Sequence, residues 1–300
     1  MKIQLSKSNF LKTMNFKKII SSTVFASSIS LFSALTIGPD KVKAQACPVP
    51  SGLADANEWV NTTGGSCNAT PEEYGVTVYK MGFCSEDPGD GLIAGSAPLT
   101  NSCTFTYENA TGESKSFAAG GEASLSEAYT STPDVGTYPY AVIELSPTFN
   151  VKGSYGPLAD GNTYYSTDTH LETSTSLADH ATTPAPMKTF YGPQGENICV
   201  AKGTASVTGG SISAFLLDSN GNLIANDSNV TECSGVSKLF GVMSLDTSVV
   251  ITPETTGLTA TFTVTDNGTT LYYDPPAQEG GEGSIGFDSG PFSVTFETVE

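Results

Sequence analysis

Few residues of this 300-residue chain have types and spacings that suggest chemistry. It has two histidines, His170 and His180. If the chain around the first were a strand, Asp168, His170 and Glu172 would project from one face as metal ligands, with Asp179 and His180 nearby; the other reading is a solvated polar loop. Asp288-Ser289-Gly290 echoes the setting of a nucleophilic serine, but Phe287 precedes it, and a triad needs a histidine placed beside the serine. Carboxylate pairs for glycoside cleavage can be drawn from Glu72, Glu73, Glu144 or Glu297, although 31 acidic residues make any such pairing uninformative. Tyr164-Tyr165 and Tyr272-Tyr273 could stack against a sugar and read equally as strand residues. No catalytic residue is assigned.

Hard cations have a separate claim. Asp218, Asn220 and Asn222 place oxygen ligands at alternate positions, and the acidic turn from Glu86 to Asp90 offers Asp87 and Asp90, both settings that suit calcium. Asn-Gly turns form without a metal, however. The expectation is therefore no cofactor, with Ca2+ at one of these turns as the alternative.

Sulfur and charge bound the function. The six cysteines, Cys47, Cys67, Cys84, Cys103, Cys199 and Cys233, are an even set and include no Cys-x-x-Cys, which leaves no thioredoxin-type redox motif or common zinc knuckle. Loop entropy favours near neighbours, so the expected disulfides are Cys47–Cys67, Cys84–Cys103 and Cys199–Cys233. All 13 basic residues are lysines, and seven of them precede Ala44 with only Asp40 opposing; the remainder carries 6 basic and 30 acidic residues, a net charge of −24. Such a surface repels phosphate backbones, and without arginine it has no bidentate guanidinium clamp, so neither nucleic acid nor nucleotide is an expected partner.

The elements that would position these residues are mostly strands. Apolar and small polar residues alternate from Tyr74 onward, most clearly in 258–265, where four threonines form one face. Asp266-Asn267-Gly268 then predicts a hairpin with a return strand through 271–273, and 216–224 predicts a second one. Helical signals are confined to 53–60, around the lone Trp59, and a turn at 70–73. Asp134-Val-Gly136-Thr-Tyr138 resembles the Asp-x-Gly-x-Tyr corner of immunoglobulin-like sandwiches, except that Tyr140 stands where those domains have a cysteine. The resemblance implies sandwich geometry, with the Tyr138 hydroxyl fixing the corner. The expected fold is all-β: a disulfide-stapled antiparallel β-sandwich, immunoglobulin-like or jelly-roll-like, in one or two modules.

Along the chain, Lys17-Lys18, the apolar run 19–37 and the small residues at 42, 44 and 46 read as a signal peptide over 1–44, cleaved after Ala44 or Ala46. A Cys-containing segment (45–73), a β module (74–160), a Ser/Thr-rich linker or loop (161–189) and a second β module (190–300) follow. The mature chain is expected to contain no membrane span and to be secreted or cell-surface. Its expected role is that of a non-enzymatic structural or adhesion protein, with self-assembly or a cell-surface or glycan ligand as partner. The terminal run 291–300 is either a strand available to another subunit or an ordinary last strand. The alternatives are a carbohydrate or small-ligand binding module with Ca2+-ordered loops, and a secreted carboxylate-dependent hydrolase. Six Asn-x-Ser/Thr sequons begin at Asn61, Asn68, Asn109, Asn226, Asn229 and Asn267 and agree with exposed loops.

Overall fold

The computed structural model describes residues 2–4, 47–118, 125, 126, 130, 131, 134–158, 160–190, 198–207, 209–255, 257–275, 284–290 and 292–299. Apart from residues 2–4, the expected leader lies outside them. In chain order come β1 (Lys2–Gln4), α1 (Leu53–Thr63), β2 (Ser66–Ala69), β3 (Glu73–Cys84), β4 (Cys103–Ala118), β5 (Gly136–Leu145) and β6 (Thr148–Lys152). Short strands β7 (Ser154–Tyr155), β8 (Tyr164–Ser166), β9 (Thr173–Ser174) and β10 (Thr183–Pro186) follow. The last elements are β11 (Lys202–Val207), β12 (Gly210–Leu217), β13 (Lys238–Ile251), β14 (Gly257–Thr263), β15 (Thr269–Asp274), β16 (Ser284–Ser289) and β17 (Ser293–Val299). Their pairings are antiparallel, and the architecture is an all-β sandwich.

The main sheet is organised around β3. β4 flanks it on one side; on the other, β5 and β6 act as one strand bent at Ser146-Pro147, with Leu145 opposite Val78 and Asn150 opposite Gly75. β13 then pairs with β5 and β10 with β6, and β12 and β11 complete the sheet beyond β13. Strands from both sides of 161–189 therefore share one sheet. β5 and β13 pair from Leu145–Leu239 to Gly136–Ile251, one strand from 74–160 and one from 190–300. Residues 161–189 supply β8, β9 and β10, and Pro184 and Pro186 are accommodated because β10 is an edge strand.

The second layer is a C-terminal ribbon in which β14 pairs with β17 and β15 with β16. The ribbon bends where residues 264–268 lie against Gly290. A Cβ on Gly290 would stand 1.8 Å from the Asn267 carbonyl oxygen, and one on Gly268 would stand 2.6 Å from Val264 Cβ, so glycine is needed on both strands at the bend. The hairpin expected at Asp266-Asn267-Gly268 is corrected here. The turn forms, with the Gly268 amide donating to the Val264 carbonyl at 2.8 Å, but β15 goes on to pair with β16 and β2 instead of returning along β14. The second expected turn does close, with Leu217 bridging Leu223. The terminal run forms β17, all seven residues of which pair with β14.

Aromatic rings join the layers. Phe292 packs 5.9 Å from Phe149 and from Phe262, and Phe296 meets Phe83 edge-on at 5.2 Å. Burying rings of this size against one another is the main apolar stabilisation available to such a sandwich. Past the bend, α1 covers the β2–β15–β16 sheet, with Trp59 stacked on Tyr273 at 5.2 Å. Gly64, at φ 71, ends that helix in the left-handed conformation. Among the described residues, no helix is long and apolar enough to cross a membrane.

Candidate functional site

Disulfides join Cys47 to Cys67, Cys84 to Cys103 and Cys199 to Cys233, leaving no free cysteine among the described residues. Cys47–Cys67 ties an irregular segment to β2, and Cys199–Cys233 joins two loops. Cys84 and Cys103 are direct cross-strand partners, so their bond closes the 85–102 loop at its base. Its Gly89 lies against the Phe215 ring, where a Cβ would be 2.7 Å from Cζ. These crosslinks fit an oxidising, extracytoplasmic compartment.

The histidines do not form the arrangement that a strand at 168–172 would give. The chain turns there, with the Glu172 amide donating to the Thr169 carbonyl and Leu171 at φ 62, so Asp168, His170 and Glu172 do not share a strand face. Each imidazole instead faces a carboxylate from a distant element. His170 Nε2 lies 3.4 Å from Asp288 Oδ1 on β16, and His180 Nε2 lies 3.6 Å from Glu72 Oε2 just before β3. The Tyr165 ring packs on His180 at 5.0 Å. These two histidine–carboxylate proximities could not be revealed by local spacing, because the partners lie about a hundred residues away. Among the described residues, no three His, Cys, Asp or Glu side chains come together as metal ligands.

Ser289 is committed elsewhere. Its Oγ lies 2.8 Å from the Tyr74 hydroxyl and donates to the Gly290 carbonyl at 3.2 Å. Burial, reinforced by the Asp288 charge and only partly offset by the Ser289 hydrogen bond, pushes the Tyr74 hydroxyl far above the ordinary phenol range. The Ser289 hydroxyl is thus engaged by the Tyr74 hydroxyl and the Gly290 carbonyl.

The candidate carboxylates are similarly engaged. Glu144 pairs with Lys238, Glu73 accepts from Ser116, and Glu72 accepts from Ser154 at 2.5 Å; the Glu297 side chain lies outside the described residues. Asp218 Oδ1 accepts the amides of Asn220 at 2.8 Å and Asn222 at 2.9 Å, closing the turn that Gly221 permits at φ 81. Asp87 Oδ1 accepts the Gly89 amide at 2.8 Å, while Asp90 is exposed. Both turns that could hold calcium are thus closed by side chain–backbone bonds. Of the tyrosines, Tyr164 and Tyr273 are buried, Tyr164 donating to Asp160 at 2.7 Å. Two sequons do not lie in exposed loops: Asn109 is buried, and Asn68 is buried and accepts from Thr270 at 3.0 Å.

Between the layers lies an apolar cavity of about 40 Å3, floored by Ala141, Ala214 and Gly241 and roofed by Phe292 and Phe296. Small residues on three adjacent strands leave it unfilled. By comparison, an engineered cavity that admits benzene measures about 150 Å3, so this one reads as loose packing between layers. Comparison with protein-family models, curated proteins and solved structures finds no match to this chain.

Proposed function

We propose that this chain is an exported, non-enzymatic β-sandwich protein that acts through its exterior as a structural or adhesion component outside the cytoplasm. One observation carries the reading: the described side chains best suited to chemistry are held in bonds that fix loops and layers. Ser289 joins Tyr74 to the Gly290 carbonyl, Asp218 and Asp87 close turns, and Glu144 pairs with Lys238. The disulfides support the same reading, since rigid loops suit a protein that must keep its shape where no chaperone repairs it. The test is to fractionate the native host, locate the mature chain by immunogold microscopy and measure its native mass. Mature chain in the surface or extracellular fraction is the expected result, and a cytoplasmic, uncleaved chain would contradict it.

A further inference from the structure

We infer that the outer edge of β14 is a self-association surface, where β14 of one copy pairs antiparallel with β14 of a second copy about a two-fold axis once the leader is gone. The inference rests on the proposed export and leader removal.

Open strand edges expose unpaired amides and carbonyls, and proteins usually blunt them with charge, proline or short length. The other edges follow that rule. β4 carries Glu108, Glu113 and Lys115, β11 carries Lys202, and β10 contains Pro184 and Pro186. β16 carries Asp288 and β17 carries Glu297; β7 and β9 are two residues each, and the four residues of β2 include the crosslinked Cys67. β14 breaks the rule: its seven residues lie in an uncharged, proline-free run, 255–265, between Glu254 and Asp266.

A second observation shows that this edge takes a strand. Lys2–Gln4 sit on it antiparallel, with Ile3 opposite Ala260, the midpoint of β14. Leader removal would take those residues away and leave the edge without a partner strand among the described residues. A second copy fits the vacancy because copies carrying −24 each can approach closely only where no carboxylates oppose, and the 255–265 run is such a place. Identical strands pairing about their midpoint give a closed, isologous contact with the order β17–β14–β14–β17 across the two copies.

The test compares the full chain with a chain lacking residues 1–46. The shorter chain keeps the described interior, since every member of the three apolar clusters among the described residues lies at or after Cys47. Sedimentation should show a dimer for the shorter chain, tighter at higher salt as screening relieves the acidic repulsion, and a monomer for the full chain. The double variant Thr261→Lys/Thr263→Lys should be monomeric while keeping the wild-type circular dichroism spectrum. A shorter chain that stays monomeric at every salt concentration, a dimer that survives both lysines, or an open-ended polymer would overturn the inference. If the lysine variant does not fold, hydrogen exchange decides: those amides of 259–261 that face away from β17 should be protected in the wild-type dimer and exchange freely on dilution, and their free exchange in the dimer would overturn it. These measurements do not depend on where the host places the protein. N-terminal sequencing of host material tests leader removal separately, so failure of the edge and failure of the export reading are distinguishable.

Discussion

The Tyr138 hydroxyl donates to the Asp134 carbonyl at 3.0 Å, four residues back, while its ring packs 6.0 Å from Phe83. The bond fixes the entry of β5, the strand that joins β3 to β13, to a ring that belongs to the core. Tyr138→Phe keeps the packing and orphans the carbonyl, so urea unfolding should show a loss of about 1 to 2 kcal/mol. Tyr138→Ala should cost clearly more, about 3 kcal/mol or above, because the ring is lost as well.

The ribbon bend gives a sharper test. In Gly290→Ala the new methyl meets the Asn267 carbonyl oxygen, a backbone atom that cannot swing aside. The variant should lose at least about 2 kcal/mol, whereas Gly235→Ala, at φ 75 with open space around it, should cost only about 1 kcal/mol. Comparing midpoints of denaturant unfolding checks the difference.

Glu113 makes stability depend on pH. Burial alone would raise its pKa, but Lys115 Nζ at 2.8 Å, the Ser126 amide and the Tyr107 hydroxyl outweigh burial and hold the carboxyl below its ordinary range. A depressed folded pKa adds stability that is fully present above the unfolded value, ~4.3, and is lost as pH falls through the folded value. Glu113→Gln should therefore be less stable than wild type at pH 7, and the two unfolding curves should converge in acid.

Calcium should have little to do. The amides of Asn222 and then Asn220 hold the Asp218 carboxyl below its ordinary range, and that work needs no ion. Chelation, or added millimolar Ca2+, should leave the melting temperature unchanged by scanning fluorimetry. A calcium-dependent rise that Asp218→Ala abolishes would restore the ordered-loop reading.

Where partners were near in sequence, the fold was legible. Disulfide loops spanning 19 to 34 positions and the 216–224 turn pair residues across a short stretch, so type and spacing sufficed, while the Tyr138 corner was legible through its resemblance to that of immunoglobulin-like sandwiches. Asn267-Gly268 shows where that logic stops. The dipeptide makes its turn, but whether the chain then returns or continues depends on β16 and β17, which occupy the positions beside β15 and β14. That strands on both sides of 161–189 share one sheet was illegible for the same reason, since only the β5–β13 pairing shows it. His170 and His180 were visible as residues, but Asp288 and Glu72 could be identified as their partners only in three dimensions.

The most direct test of the central claim is the intact mass of the protein recovered from its native host, before and after alkylation under non-reducing conditions. The account predicts a chain that begins at Gln45 or Cys47, takes up no alkylating reagent until reduced, and then takes up six equivalents, one for each cysteine. A 300-residue chain whose thiols react without reduction would contradict it.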